Sequence, residues 1–476
     1  MAASFFFYDV ETSGLSPRSA RVMQFAAQRT NLDLQPVGDP INLLIKLTPD
    51  VLPDPEAVLV TGITPQMTLS DGLTEAEFLK LFQAQAVAAD TIFLGYNSIR
   101  FDDEFMRFLH YRNFYDAYGW QSQNGSSRWD LLDVVRMTRA LRPKGIAWPF
   151  DSLGKPSNRL TLLTSLNKLD HKHAHEALND VNATIALAQL IAQKQPKLFD
   201  FLLSIRTKQA VSKLVLSPQP FVYNSAHYPS QFEKTTVAAA IGPPTQNRSV
   251  LVYDLRFDPK QFSAMSSSEL LKLWRKKPDD DSWTPFPVSS LQFNRCPAVA
   301  PLSVLDKDSQ KRLGLDMKVI ASHFQSLQQS ADLIAKLEQA QELLNKQKQI
   351  EWTSDEQSVD EQLYDGFFDR PDKQLIEAVH QASPDKLSDF IFKLGDPRLK
   401  ALLPLYKARN YQAYLNTQER SAWETFCEQR LLSGKDQSRL AGYMQRIDEL
   451  AAKPETSQQS YLLEELRLYG QSIMPG

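Results

Sequence analysis

Residues 4–17 read SFFFYDVETSGLSP, an apolar run of Phe5, Phe6, Phe7 and Tyr8 that ends in the alternating acids Asp9 and Glu11. β-Branched and aromatic density of this kind predicts a strand, and a strand sends alternate side chains to opposite faces, so Asp9 and Glu11 share one face. Two carboxylates held that close repel each other unless a cation lies between them, and oxygen donors suit a hard divalent ion. From the pair alone two readings stay open. With 56 acidic residues in 476, acid-x-acid pairs also arise by chance as solvated surface charge.

Further acids are needed to complete a metal site, and two later segments supply them. In NSIRFDDEFMRFLHYR, residues 97–112, Phe101, Phe105 and Phe108 recur at helical spacing behind Asn97, an expected helix cap. Asp102 falls on the apolar side with Met106 and Leu109, whereas Asp103 and Glu104 are expected to turn outward. A carboxylate among core residues needs either a metal or a buried donor such as arginine. In HEALNDVNATIALAQLIAQ, residues 175–193, Ala177, Val181, Leu187 and Ile191 mark an amphipathic helix with Asp180 in its first turns. His175 lies five residues before Asp180, off that helical face, and is expected on the entering loop. The alternating His171, His173 and His175 do not make a convincing zinc set, because no cysteine lies near them.

In order, DVETSG, NSIRFD and HEALND resemble the DEDD exonucleases, in the subgroup whose third motif places a histidine five residues before the last aspartate. That resemblance implies that Asp9, Glu11, Asp102 and Asp180 hold two divalent ions, Mg²⁺ with Mn²⁺ able to substitute, and that His175 is the general base. It also implies that Glu11 and the flanking Gly14 and Leu15 meet the terminal nucleotide of the substrate, and VTGITPQ at 60–66 matches a recurring loop of the group. The residue types fit the chemistry. Phosphodiester hydrolysis requires a hydroxide near neutral pH and stabilisation of charge on both the attacking and the leaving oxygen, which paired hard cations provide. An imidazole with a pKa near ~6.5 can take the proton of the attacking water.

The remainder of the chain changes pattern twice. After PKLFDFLLSIRTKQAVSKLV, a linker helix, the short β-type runs PFVYNSAHY, TTVAAAIG, RSVLVYDLRFDP and LQFNRCPAVAP are punctuated by Pro, Gly and Asn, which predicts a small barrel or sheet. Residues 316–348 return to helix, with Leu327, Ile334, Leu337 and Leu344 as its apolar stripe, and from residue 354 the chain is strongly helical. The expected division is an α/β exonuclease domain over 1–195, a β-rich middle domain with flanking helices over 196–350, and a helical domain over 351–476. With LRPKGIAWP, LYDGFF and YKARN added, the whole chain resembles the bacterial exonuclease I family. The fold this implies is α/β: a ribonuclease H-like domain with a mixed β-sheet, an SH3-like middle domain and a C-terminal helical domain.

The implied activity is processive 3′→5′ degradation of single-stranded DNA to 5′-mononucleotides in DNA repair and recombination. A 3′→5′ exoribonuclease would carry the same five residues, and a non-catalytic single-stranded DNA-binding adaptor is the alternative from another class. The resemblance also implies docking of the acidic C-terminal tail of single-stranded DNA-binding protein, for which Arg142, with Trp148 nearby, is the candidate residue. The bland alternative is that Arg142 caps a helix or pairs with an acid. Net charge is -3, so phosphate contacts must come from local basic clusters, such as Arg136, Arg139, Arg142 and Lys144 or Lys272, Arg275, Lys276 and Lys277. Two distant cysteines, Cys296 and Cys427, suggest a reducing compartment, and no apolar run is long enough to span a bilayer. A cytoplasmic monomer that makes no membrane contact is expected.

Overall fold

The structure, a computed structural model, describes residues 3–169, 176–245, 248–276, 286–352, 358–434, 437–452 and 456–473. The chain divides into two compact units, one of residues 1–126, 172–182 and 356–476, the other of residues 127–171 and 183–355. Consecutive sequence blocks therefore do not map one to one onto compact units. The C-terminal helices join the N-terminal α/β layer, and the long helix Ala177–Lys194 is shared by the chain segments of both units.

In the first unit, β1 (Ser4–Thr12) is flanked by β2 (Val22–Thr30) and β4 (Thr91–Gly95), with β3 (Ile41–Leu44) beyond β2. β1 runs antiparallel to β2, with Asp9 opposite Ala26 and Glu11 opposite Gln24, and parallel to β4, with Phe7 opposite Leu94. The sheet is thus mixed, as expected. Both faces of β1 are buried along its first half, which is why four aromatics in succession are tolerated there. Phe6, Tyr8 and Val10 enter one core with Phe25, Phe78, Phe82, Phe93, Phe105, Met106 and Trp120. Phe5 and Phe7 lie on the other face, and the same face emerges as Asp9 and Glu11 where the burial becomes partial.

Two further cores bind the C-terminal helices to this layer. Phe108, Tyr111 and Phe114 pack with Leu363, Val379, Leu399, Leu402, Leu403 and Tyr406. Val58, in the short helix Pro55–Thr61, packs with Leu440, Tyr443, Ile447, Leu462 and Leu466. The VTGITPQ segment is the joint between that helix and the next, Pro65–Asp71. Gly62 takes φ +72, a left-handed turn that favours glycine, and the Thr64 hydroxyl caps the second helix by accepting from the Met67 N–H.

In the second unit, after β5 (Ser127–Asp130), the predicted β-type runs form β6 (Phe221–Asn224), β7 (Thr235–Ile241), β8 (Ser249–Asp254), β9 (Val288–Gln292) and β10 (Val299–Pro301). They make an antiparallel sheet in the order β10-β6-β7-β8-β9. The region expected to return to helix is two helices, Met317–Gln328 and Ala331–Trp352. The buried stripe of the second runs through Leu333, Leu337 and Ala340, so Ile334 and Leu344 lie at its margin and not at its centre. The break at 329–330 resets the helical phase, which a single uninterrupted period could not anticipate. Among the described residues no helix is long and apolar enough to cross a membrane.

Phe82 meets Phe6, Phe25, Phe78, Phe93, His110 and Trp120 in one aromatic cluster. Replacing Phe82 by alanine leaves a cavity lined on all sides and is expected to cost about 3–5 kcal/mol. Urea unfolding followed by tryptophan fluorescence measures this as a lowered midpoint at unchanged slope.

Candidate active site

The site forms where β1 outruns its parallel neighbour. The ladder between β1 and β4 ends at the pair Phe7–Leu94, and beyond it the Val10 N–H donates to the Asp102 carboxylate at 3.0 Å. Asp102 is the first residue of helix Asp102–Arg112 and is almost fully buried, as its place on the apolar side required. The positive end of the helix dipole favours an acid there. Asp103, by contrast, does not turn outward: it is 1 % exposed, accepts from the Tyr8 hydroxyl and lies 3.8 Å from Arg107. The expectation failed because Tyr8 carries a polar tip into the core, and that tip needs a partner. Nor does Asn97 cap this helix. It adopts φ +67 ahead of a separate short turn, Ser98–Arg100, and Phe101 immediately precedes the helix.

Tyr8 and Val10 are therefore tied to Asp103 and Asp102, and Asp9 between them is forced to the opposite face. Asp180 reaches the same place from the first turn of helix Ala177–Lys194, whose Ala177, Val181, Leu187 and Ile191 are all buried, as the periodicity predicted. Carboxylate oxygens of Asp9, Glu11 and Asp180 lie within 4.8 Å of one another, each side chain partly exposed. Asp102 adds its charge to both strand acids. Burial, then Asp102, Glu11 and Asp180 hold the Asp9 carboxyl well above the usual carboxylate range. Glu11 is pushed up to about 8, first by burial and then by Asp180 and Asp102.

Converging acids whose protons are this hard to remove form a set of oxygen donors that lacks only positive charge, and a hard divalent cation fits it. Asp9, Glu11 and Asp180 are thus brought together and Asp102 stands near enough to act on both strand acids, whereas His175 falls outside the described residues.

β1 carries a register shift between Glu11 and Thr12 and ends at Thr12, which pairs with Val22 and opens the loop Thr12–Arg21. Leu15 at its tip is 80 % exposed. Gly14 has no left-handed backbone, and a Cβ there would make only ordinary contact with Asp54 and Ala20 at 3.4 and 3.5 Å. Its identity is thus not dictated by the loop itself. Ser13, Gly14, Leu15 and Ser16 face a cavity of about 470 Å³, shared with Asp50–Pro55, Arg430, Arg439 and Tyr443.

Arg142, in the second unit, follows helix Leu131–Leu141 directly. Its guanidinium donates to the carbonyls of Leu141 and Val304, both at 2.8 Å, and stands 3.4 Å from Asp306. Its neighbours in the basic cluster are also paired, Arg136 with Asp133 and Arg139 with Glu233. That cluster is therefore less available to phosphates than its sequence density implied. Lys277 of the other cluster lies outside the described residues.

Family models match three successive segments, described as Exonuclease over residues 6–188, Exonuclease I SH3-like domain over 206–342 and Exonuclease I C-terminal domain over 357–473. The chain is 36 % identical over 477 residues to exodeoxyribonuclease I of Haemophilus influenzae, covering 99 % of both chains. Among solved structures it is similar to Escherichia coli exonuclease I in complex with a dA16 oligonucleotide, with a TM-score of 0.91, 34 % identity and coverage of 99 % of this chain and 100 % of that one. It is equally similar in extent to an SSB/exonuclease I structure in complex with the inhibitor CFAM, with a TM-score of 0.87 and 34 % identity over the full length of both. Three matched segments in the family's order, near-complete coverage and a shared fold around the acidic strand end establish that this chain belongs to the exonuclease I family.

Proposed function

We propose that this chain removes 5′-mononucleotides processively from the 3′ end of single-stranded DNA, with Asp9, Glu11, Asp102 and Asp180 holding two divalent cations. The observation that carries the reading is the convergence of Asp9, Glu11 and Asp180 within 4.8 Å, with Glu11 raised to about 8. Membership of the exonuclease I family supports a DNA exonuclease over an exoribonuclease or an adaptor.

Mg²⁺ is the expected ion and Mn²⁺ a substitute; bound there, the pair supplies an acidified water and a counter-charge for the leaving oxygen. The rest falls to the protein's own groups. The four carboxylates would hold the ions and fix where their positive charge stands. His175 accepts the proton of the attacking water. Exposed Leu15 packs against the terminal nucleotide while the Gly14 backbone, without a side chain in the way, approaches its sugar and phosphate. Glu11, at the base of that loop, meets the same nucleotide.

For the partner, we assign the acidic tail of single-stranded DNA-binding protein to the surface around Arg142. Its side chain is 35 % exposed, and a tail carboxylate would add a charge-assisted hydrogen bond to a guanidinium already oriented by two carbonyls. A monomer working in the cytoplasm in DNA repair and recombination completes the reading.

Three outcomes test it. Asp9→Ala and His175→Ala are each expected to lower Mg²⁺-dependent release of nucleotides from end-labelled single-stranded DNA by at least ~10²-fold while leaving DNA binding within a few-fold. Parent-like hydrolysis by either would remove that residue from the site, and equal turnover of matched RNA would overturn the DNA assignment.

The second outcome concerns pH. Because Glu11 is raised in the folded state, the metal-free fold retains protons that the unfolded chain has lost, so stability is full below the ordinary glutamate pKa of ~4.5 and falls as pH rises toward about 8. In EDTA the melting temperature should drop between pH 5 and pH 8.5, and Mg²⁺ or Mn²⁺ should restore more of it at pH 8.5 than at pH 5. Third, Arg142→Ala should weaken binding of a tail peptide about tenfold by fluorescence anisotropy, with nuclease activity on free DNA unchanged.

A further inference from the structure

The loop that follows the acidic strand is held by charges that come from the far end of the chain. Its base closes where the Ser13 N–H donates to the Arg21 carbonyl and the Arg21 N–H donates to the Ser13 hydroxyl, both at 2.8 Å. The Ser13 carbonyl accepts from the Asp54 N–H at 2.7 Å, which ties the loop to the segment Asp50–Asp54. Both attachments run into one buried cluster. The Arg21 guanidinium donates to Asp360 at 3.0 Å, with side-chain exposures of 3 and 0 %. Arg409 donates to both oxygens of Asp360, at 2.8 and 2.7 Å, and to Asp50 at 2.7 Å. Arg430 closes the group, 3.4 Å from Asp360 and 4.0 Å from Asp50. Asp50 is itself steadied by the Thr48 hydroxyl at 2.6 Å.

Burial by itself would raise the two carboxyls. Arg409, Arg21 and Arg430 outweigh it, holding Asp50 at about 2 and Asp360 well below the carboxylate range. Both aspartates are therefore charged at working pH and held between guanidinium groups. The cluster's mechanical consequence falls on Glu11 and Leu15, because Thr12 and Ser13 are the only residues between Glu11 and Gly14.

We propose that Arg21 and Asp360 are positioning residues for hydrolysis, the ion pair through which the C-terminal helices hold the Thr12–Arg21 loop, and with it Glu11 and Leu15, in reacting geometry. The proposal rests on the site reading above. Misplacement of about 1 Å at a reacting centre can cost up to ~10²-fold in rate, whereas affinity for a long strand is spread over many nucleotides. The loss should therefore fall on the rate and not on binding.

The test measures single-turnover hydrolysis and KM on single-stranded DNA for the full chain, well below each variant's melting temperature and corrected for folded fraction. Arg21→Met and Asp360→Asn should each lose at least ~10-fold in rate with KM changed less than about threefold, and the double variant should lose no more than Asp360→Asn alone, since that change already takes away the partner of Arg21. Arg21→Lys, which keeps the charge, should recover part of the loss. Lys407→Met serves as control. Lys407 is equally buried on helix Pro397–Asn410 and donates to Glu419 and Ser388, away from the loop, so it should lower stability but keep the parent rate.

Single variants that keep the parent rate, or lose no more than Lys407→Met, overturn the proposal, as does a KM effect without a rate effect. If Asp360→Asn does not fold, Arg21→Met and Arg21→Lys decide. Asp9→Ala run alongside separates the two readings: an active Asp9→Ala protein removes the site itself, while an inactive one beside fully active Arg21 variants removes only the positioning role.

Discussion

Mutual repulsion among carboxylates brought to one point is the constraint on which the rest depends. Asp9 and Glu11 resist losing their protons first because burial keeps water from the charged form, and then because Asp102 and Asp180 are near. A protein can hold such an arrangement only if other contacts outweigh the repulsion, and the surroundings of β1 show how. Aromatic side chains fill both faces of the strand up to Tyr8. Asp102 and Asp103, from a single helix start, then bind the strand on either side of Asp9. The acids are not placed by flexible loops. They project from a strand end and two helix starts whose own packing is complete.

Two kinds of buried charge coexist in the same unit and behave oppositely. At the acidic site the charges are of one sign, and protonation is favoured until a cation arrives. In the cluster of Arg21, Asp50, Asp360, Arg409 and Arg430 the signs alternate, and the carboxyls are driven the other way. The first arrangement stores an affinity for metal. The second gives orientation, since a guanidinium fork satisfied on both carboxylate oxygens tolerates little movement. Buried ion pairs add little net stability compared with apolar packing, so their value here lies in geometry.

The C-terminal helices are accordingly part of the scaffold of the exonuclease layer. They share cores with helix Asp102–Arg112 and with the short helix before Gly62, and they contribute three of the five charges in the cluster. Arg21 is 339 residues from Asp360 and 388 from Arg409, distances over which no periodicity or motif carries information.

Much of this protein was legible in its sequence because the relevant signals are local. Alternation placed Asp9 and Glu11 on one face, helical period placed Asp102 among buried residues and Ala177 and Val181 inward, and turn residues separated the strands of the second sheet. What failed was also local in appearance but tertiary in cause. Asp103 is buried because the Tyr8 hydroxyl, distant along the chain, needs an acceptor, and the stripe of the last middle-region helix shifted to Leu333 because a break reset its phase. Arg136 and Arg139 look like part of a basic patch in sequence but are paired with Asp133 and Glu233. The sequence by itself determined which residues could serve as ligands and which elements carry them, since those depend on side-chain type and on periods of two and 3.6. Only the tertiary structure decided that these carboxylates converge, how far their protons are held, and that charges from the chain's last third grip the loop beside them, because convergence and burial are properties of packing between segments that no local pattern encodes.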